Sequence, residues 1–162
     1  MNWAAFFAIL AVIAAIVSHF TFWSTTTVYE DSVEAVAASA GLWRGCANIG
    51  GIFSGCDSTD WGESASLDAS IVLFLLGTIV FGLVAALAYV KGVPKGWLIA
   101  LSILAWLHFV VPVVLWPWKV MPVIEGRFDG APDIQTSQDV GYWFAVGAAG
   151  LGLMSAILFT TQ

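Results

Sequence analysis

ASIVLFLLGTIVFGLVAALAYV (Ala69–Val90), KGVPKG (Lys91–Gly96) and WLIALSILAWLHFVVPVVLWPW (Trp97–Trp118) follow one another in the chain, and their reading decides the fold. Two runs of 22 residues without a charge flank a short link that carries two lysines and no acid. At 1.5 Å per residue each run makes a helix of roughly 33 Å, which matches the hydrocarbon core of a bilayer. The stretch therefore reads as a helical hairpin through a membrane. Outward from it lie two further uncharged runs, Trp3–Trp23 and Val140–Thr160. The first lacks the basic segment that precedes the apolar core of a signal peptide and is read as a span. The expected architecture is a membrane all-α four-helix bundle in one domain, residues 1–162. Its spans fall at about 3–23, 69–90, 97–118 and 140–160, and its longer loops at 24–68 and 119–139.

Composition agrees with this reading. Of 162 residues 60% are hydrophobic and 10% charged, whereas a soluble domain carries roughly 25% charged residues to face water. The net charge of −6 argues against nucleic acid as a partner. Aromatic residues mark the ends of the runs, where an apolar ring and a polar N–H or O–H are both satisfied. Trp3, Tyr89 and Trp97 are expected at one membrane face. Trp23, Trp116, Trp118, Tyr142 and Trp143 are expected at the other.

Loop charges set an orientation. The first long loop, Ser24–Asp68, holds seven acids and Arg44, and the second, Lys119–Asp139, holds four acids with Lys119 and Arg127. The positive-inside rule puts both termini and the Lys91–Lys95 link in the cytoplasm and the long loops outside. The two cysteines, Cys46 and Cys56, then lie in an oxidising compartment, and a structural disulfide is the favoured reading. Zinc would need further ligands, and a thiol oxidoreductase a closely spaced pair with a second pair behind it.

Within the first loop, Thr25–Tyr29 is β-branched and aromatic and reads as a strand leaving the first span. Gly41–Cys46 and Ile52–Cys56 read as two more, with Asn48, Gly50 and Gly51 as the turn, so that the disulfide would staple neighbouring strands. Ser32–Ala40 is alanine-rich and reads either as a mobile excursion or as a short helix.

Trp23, then Gly41-Leu42-Trp43, then Cys46 and Cys56, between the first and second of four spans, resemble the W…GLW…C…C pattern of claudins. The wider superfamily shares it: peripheral myelin, epithelial membrane and lens fibre membrane proteins, and stargazin-like channel subunits. The resemblance implies a small extracellular antiparallel β-sheet, built from the first outer loop and part of the second and standing on the bundle. Trp23, Leu42 and Trp43 would anchor it, with Leu42 and Trp43 buried at the outer bilayer interface. Two features depart from the family. Claudins usually carry an arginine where the first loop enters the second span, and Asp68 stands near that point here. Many end in a cytoplasmic tail that binds junction scaffolds, whereas this sequence ends Thr160-Thr161-Gln162, so no scaffold link is expected.

Lipid tails are as apolar as leucine, so helices in a bilayer associate through small residues. Ala4, Ala8, Ala11 and Ala15, the pair Gly82 and Ala86, and Ala148, Gly152 and Ala156 have the required spacing. They read as packing faces inside the bundle, with docking of a partner as the competing reading. His19 and His108 sit at depths too different for a shared haem; His19 is expected to bond near the headgroups and His108 to a neighbouring helix. Pro112 is expected to bend the third span. The spans hold no Asp, Glu, Lys or Arg, and the sequence shows no nucleophile with its base, no phosphate loop and no metal cluster. An enzyme, a transporter and a cofactor are therefore not expected.

Two functions are weighed first, and a membrane-shaping or tetraspan organiser protein is a third that the sequence does not separate from them. The resemblance implies cell–cell adhesion or a paracellular barrier or cation-selective pore at the plasma membrane, with copies associating beside one another and across cells. Asp57 is the acid of first interest, because in some cation-selective claudins an acid directly after the second cysteine faces the pathway. A solvated surface acid is the alternative. Glu30, Asp31, Asp60 and Glu63 are further candidates. The other function is an accessory subunit of a larger channel or receptor complex.

Overall fold

Alanine forms the inner face of α1 (Trp3–Phe20), while isoleucine and phenylalanine form its outer face. Ala4, Ala8, Ala11 and Ala15 are fully buried, and Phe6, Ile9, Ile13, Ile16 and Phe20 are exposed. Water would drive the larger side chains inward; lipid is indifferent to them, and close backbone approach then decides which face is buried. The structure, a computed structural model, describes residues 2–30, 33–49, 53–58, 65–126 and 133–161. Its described residues include four apolar helices long enough to cross a membrane and a five-stranded antiparallel sheet.

The four long apolar helices are α1, α2 (Ala65–Leu87), α3 (Lys95–Leu115) with its continuation, and α5 (Val140–Thr161). α1 and α5 run antiparallel in close contact, and the buried face of α5 is rich in small residues, with Ala145, Ala148, Ala149, Gly152 and Ala156 among them. Hydroxyls close this interface at both ends. Ser155 donates to the Ala4 carbonyl and Ser18 to the Gly141 carbonyl, each at 2.9 Å. α2 and α3 supply bulk instead. Phe74, Phe109 and Phe81 follow one another with ring centroids 4.9 and 5.3 Å apart. Two glycines make room for them. A Cβ on Gly77 would lie 2.7 Å from the Phe109 ring, and one on Gly152 would lie 2.7 Å from Phe81.

This arrangement corrects the packing expected of Gly82 and Ala86. Gly82 has open space where its Cβ would be, and Ala86 is exposed. α1 and α5 already present small surfaces, so α2 turns its phenylalanines inward and leaves this pair to the outside. At the link, Gly92 adopts φ +89°, a left-handed conformation that suits glycine, and α3 starts after Pro94.

Three helix boundaries differ from the expected ones. α1 ends at Phe20, so Trp23 lies in β1 (Phe22–Glu30); the Thr21 hydroxyl bonds back to the Val17 carbonyl and the chain turns extended there. α2 begins one turn earlier than expected, and α3 runs on. It passes into a π-helix, Trp116–Val120, and then α4 (Met121–Gly126), making 32 helical residues, or about 48 Å, in all. The continuation passes Pro117, which has no N–H to give the Val113 carbonyl; the Tyr142 hydroxyl donates to it instead, at 3.2 Å.

The sheet stands at the end of the bundle opposite the Lys91–Lys95 link. β1 pairs with β2 (Val33–Gly41), followed by β3 (Arg44–Ile49) and β4 (Phe53–Ser58), and β5 (Asp133–Gln138) pairs with the other side of β1. The alanine-rich stretch is therefore neither helix nor excursion. Ala37 and Ala38 are weak strand formers, but between the β-branched Thr26, Thr27 and Val28 of β1 and the backbone of β3 the ladder outweighs local preference. Gly41 closes β2 rather than opening the next strand, and Asn48 lies in β3; the expected turn at Gly50 and Gly51 lies outside the described residues.

Replacing Gly152 by leucine should destabilise the bundle by about 1–3 kcal/mol through overpacking on Phe81. Gly82→Leu should stay within about 0.5 kcal/mol of wild type. Thermal unfolding of both variants in one detergent makes the comparison, and equal losses would contradict this packing.

Candidate functional site

The sheet is joined to the bundle by an aromatic plug. Trp23, fully buried, lies with ring centroids 4.8 Å from Trp116, 5.1 Å from Phe74 and 6.1 Å from Tyr142. Its indole N–H donates to the Ser18 carbonyl at 3.0 Å, one of the carbonyls that the end of α1 leaves free. Trp23, Trp116 and Tyr142 are thus interior residues rather than members of the outer aromatic belt. Trp118 and Trp143, 76% and 58% exposed, remain on the outside, as do Trp3, Tyr89 and Trp97 at the other end. The orphan polar atoms of this region are the Ser24 hydroxyl and the Trp116 indole nitrogen, both buried without a partner among the described residues.

Gly41-Leu42-Trp43 forms the corner between β2 and β3. A Cβ on Gly41 would meet the Thr21 carbonyl oxygen at 2.8 Å, so the corner closes on the end of α1 only with glycine there. Leu42 is fully buried in the protein core, not at the bilayer interface. Trp43 is partly exposed and its indole N–H donates to His19 Nδ1 at 3.1 Å. An indole nitrogen can only donate, so Nδ1 accepts and the proton sits on Nε2. Nε2 then donates to Thr78 Oγ1 at 3.2 Å, and the Thr78 hydroxyl donates to the Phe74 carbonyl at 2.9 Å. One directed chain of hydrogen bonds links sheet corner, α1 and α2. His19 is therefore a clamp inside the protein, with both ring nitrogens engaged. His108 bonds within its own helix, Nδ1 to the Leu104 carbonyl at 2.6 Å, not to a neighbour.

On the far side of β1, Asp139 ties the sheet to α5. Its carboxylate accepts from the Thr25 hydroxyl at 2.9 Å and from the Val140 N–H at 2.6 Å, and its own N–H donates to the Trp23 carbonyl at 2.9 Å. Sequence reasoning counted Asp139 only as a loop acid. An aspartate directly before an apolar run is a helix N-cap signal, and it was there to read.

Register places the chemistry on the sheet. Ser137, Thr25, Ser39, Cys46 and Cys56 form one row across all five strands, and the disulfide closes its end, with Cα atoms 4.0 Å apart. Farther out along β1, Ile134, Val28, Val36, Ile49 and Phe53 make a wholly apolar row. Asp57 lies in the edge strand β4 opposite Gly45, and Glu30 ends β1. Asp31, Asp60 and Glu63 lie outside the described residues. Arg44 places its guanidinium over the Phe22 ring, 5.1 Å from the centroid.

No family model and no curated protein matches the chain.

Trp43→Phe keeps a ring at the corner but deprives His19 Nδ1 of its donor, with an expected loss of about 1–2 kcal/mol. In a His19→Leu background the same change should cost about 1 kcal/mol less. A double-mutant cycle on thermal unfolding measures the difference; additive losses would remove the clamp.

Proposed function

We propose that this chain is a claudin-like four-span protein of the plasma membrane that acts in cell–cell adhesion and lines a barrier or cation-selective path between cells. The observation that carries this reading is the sheet. Four strands from the first long loop and one from the second form a single antiparallel layer, stapled by Cys46–Cys56 and seated on the bundle through Trp23 and Gly41-Leu42-Trp43. That is the arrangement the motif implies in claudins. All eleven acids lie in the two long loops and two of the five bases in the Lys91–Lys95 link, which supports an outer sheet and cytoplasmic termini. An acidic surface at a narrow contact concentrates cations and excludes anions. Asp57, beside the disulfide and across from a residue without a side chain, is the acid assigned to the path. In epithelial cells expressing the protein, Asp57→Asn should bring paracellular cation preference down toward parity, measured by dilution potentials. Unchanged selectivity would refute the pore.

One observation favours a second reading, an accessory subunit. Gly82 on α2 and Gly147 and Gly150 on α5 have open space at their Cβ positions. Such glycines weaken a helix by about 1 kcal/mol each, and in lipid they gain nothing unless another helix packs there. Purification in a gentle detergent separates the readings: a stoichiometric channel or receptor supports the subunit, and strands of the protein between contacting cells support adhesion.

A further inference from the structure

At the lysine end of the bundle a groove of about 270 Å³ runs between α3 and α5, lined by Ile103, Trp106, Leu153, Ala156, Ile157 and Thr160. We propose that it holds one acyl chain of an anionic phospholipid whose headgroup rests on Lys95.

The occupant follows from size, surroundings and charge. A helix is about 10 Å across, too wide for a trough between two packed helices whose rims are the branched side chains of Ile103 and Ile157. An acyl chain is narrow enough, and the groove opens within the apolar span, where lipid is the solvent. Leu153 to Thr160 covers about 10 Å of helix, so the trough follows the long axis of such a chain. Thr160 is the polar residue of the lining and lies on the side of the groove nearer the lysine link.

The charge argument is one of register. Lys95, Ile99, Ile103 and Trp106 follow a spacing of four, four and three, so they share one face of α3. Lys95 thus stands below the groove on the face that lines it, about 12 Å from Ile103 along the axis. Its side chain is exposed and free to reach a phosphate at the mouth. Among the described residues, this end of the bundle carries Lys91 and Lys95 and no acid. A zwitterionic lipid would fill the same trough without gaining that attraction. The site is independent of whatever the outer sheet meets, so its failure would leave the proposed function standing.

Native mass spectrometry in a gentle detergent, with equal amounts of phosphatidylglycerol and phosphatidylcholine of the same chains, tests it. Wild type should retain one phosphatidylglycerol about fivefold over phosphatidylcholine, the worth of one lysine near the headgroup. Lys95→Gln should bring that ratio to parity while lipid is still retained. Ile157→Trp, which fills the trough from an exposed position, should reduce retention of both lipids without lowering the melting temperature. Parity in wild type, a preference that survives Lys95→Gln, or full retention in a normally melting Ile157→Trp protein would overturn the proposal. So would a dimer that Ile157→Trp abolishes, because a second copy would then occupy the groove.

Discussion

Lipid offers a helix no reward for hiding leucine, and the rest of this structure follows from that constraint. With apolar burial nearly neutral, association depends on how closely backbones approach and on whether each polar group is closed off from the membrane. Hence the inverted α1, with alanines inward and isoleucines outward. Hence also the hydroxyls of Ser18 and Ser155, which bond carbonyls on the neighbouring helix. Alanine surfaces on α1 and α5 would leave a void against α2 and α3 if those helices were equally bare. Phe74, Phe81 and Phe109 fill it, and Gly77 and Gly152 are the recesses that receive them.

The same constraint shapes the exit from the membrane. Where α1 ends, its last carbonyls lose their helical partners, and Trp23 and Thr21 take up those of Ser18 and Val17. Where Pro117 withholds an N–H, Tyr142 repairs the gap. Where α5 begins, Asp139 takes the free Val140 N–H while holding β1. Each repair comes from a residue in or next to the sheet, or from a side chain touching the plug beneath it. The helix ends and the base of the sheet are therefore satisfied by the same side chains. A sheet mounted this way cannot tilt without opening bonds in the bundle, which the directed chain from Trp43 through His19 to Thr78 makes explicit.

How much of this was legible follows from which signals are local. Four runs without charge announce four helices, and Thr25–Tyr29 announces a strand, because length and β-branching are properties of the segment itself. The strand at Val33–Gly41 was hidden because alanine has no strand preference; its conformation comes from β1 and β3 on either side. The choice of Gly77 over Gly82 as the packing glycine was hidden for a similar reason. Both are glycines on one helix, and only the position of Phe109 on another distinguishes them. Trp23 and Trp118 look alike at the ends of apolar runs, yet one is fully buried and the other is exposed. Of the site, the disulfide and the corner motif could be read from residue type. The roles of His19 and Asp139 as joints could not be assigned until their partners on other elements were known.

If the outer sheets of two copies meet, as proposed, their charge imposes a condition on how. Each first loop carries seven acids against one base, so two of them repel at any separation within the roughly 8 Å screening length of physiological salt. Association then needs either contacts that outweigh repulsion or cations held between the sheets. Two features of the fold address those needs separately. The row from Ile134 to Phe53 is apolar by register, and its half-buried members Ile134 and Val36 leave surface whose further burial is favourable outside the membrane, at roughly 25 cal/mol per Å². Asp57 lies at the end of the sheet nearer the bundle, in line with Gly45, Ala40 and Ser24 and four residues along β4 from Phe53. Attraction at the outer row and retained cations nearer the membrane would then be parts of one arrangement. In that geometry, cation preference is a condition of the contact between copies as well as a consequence of it.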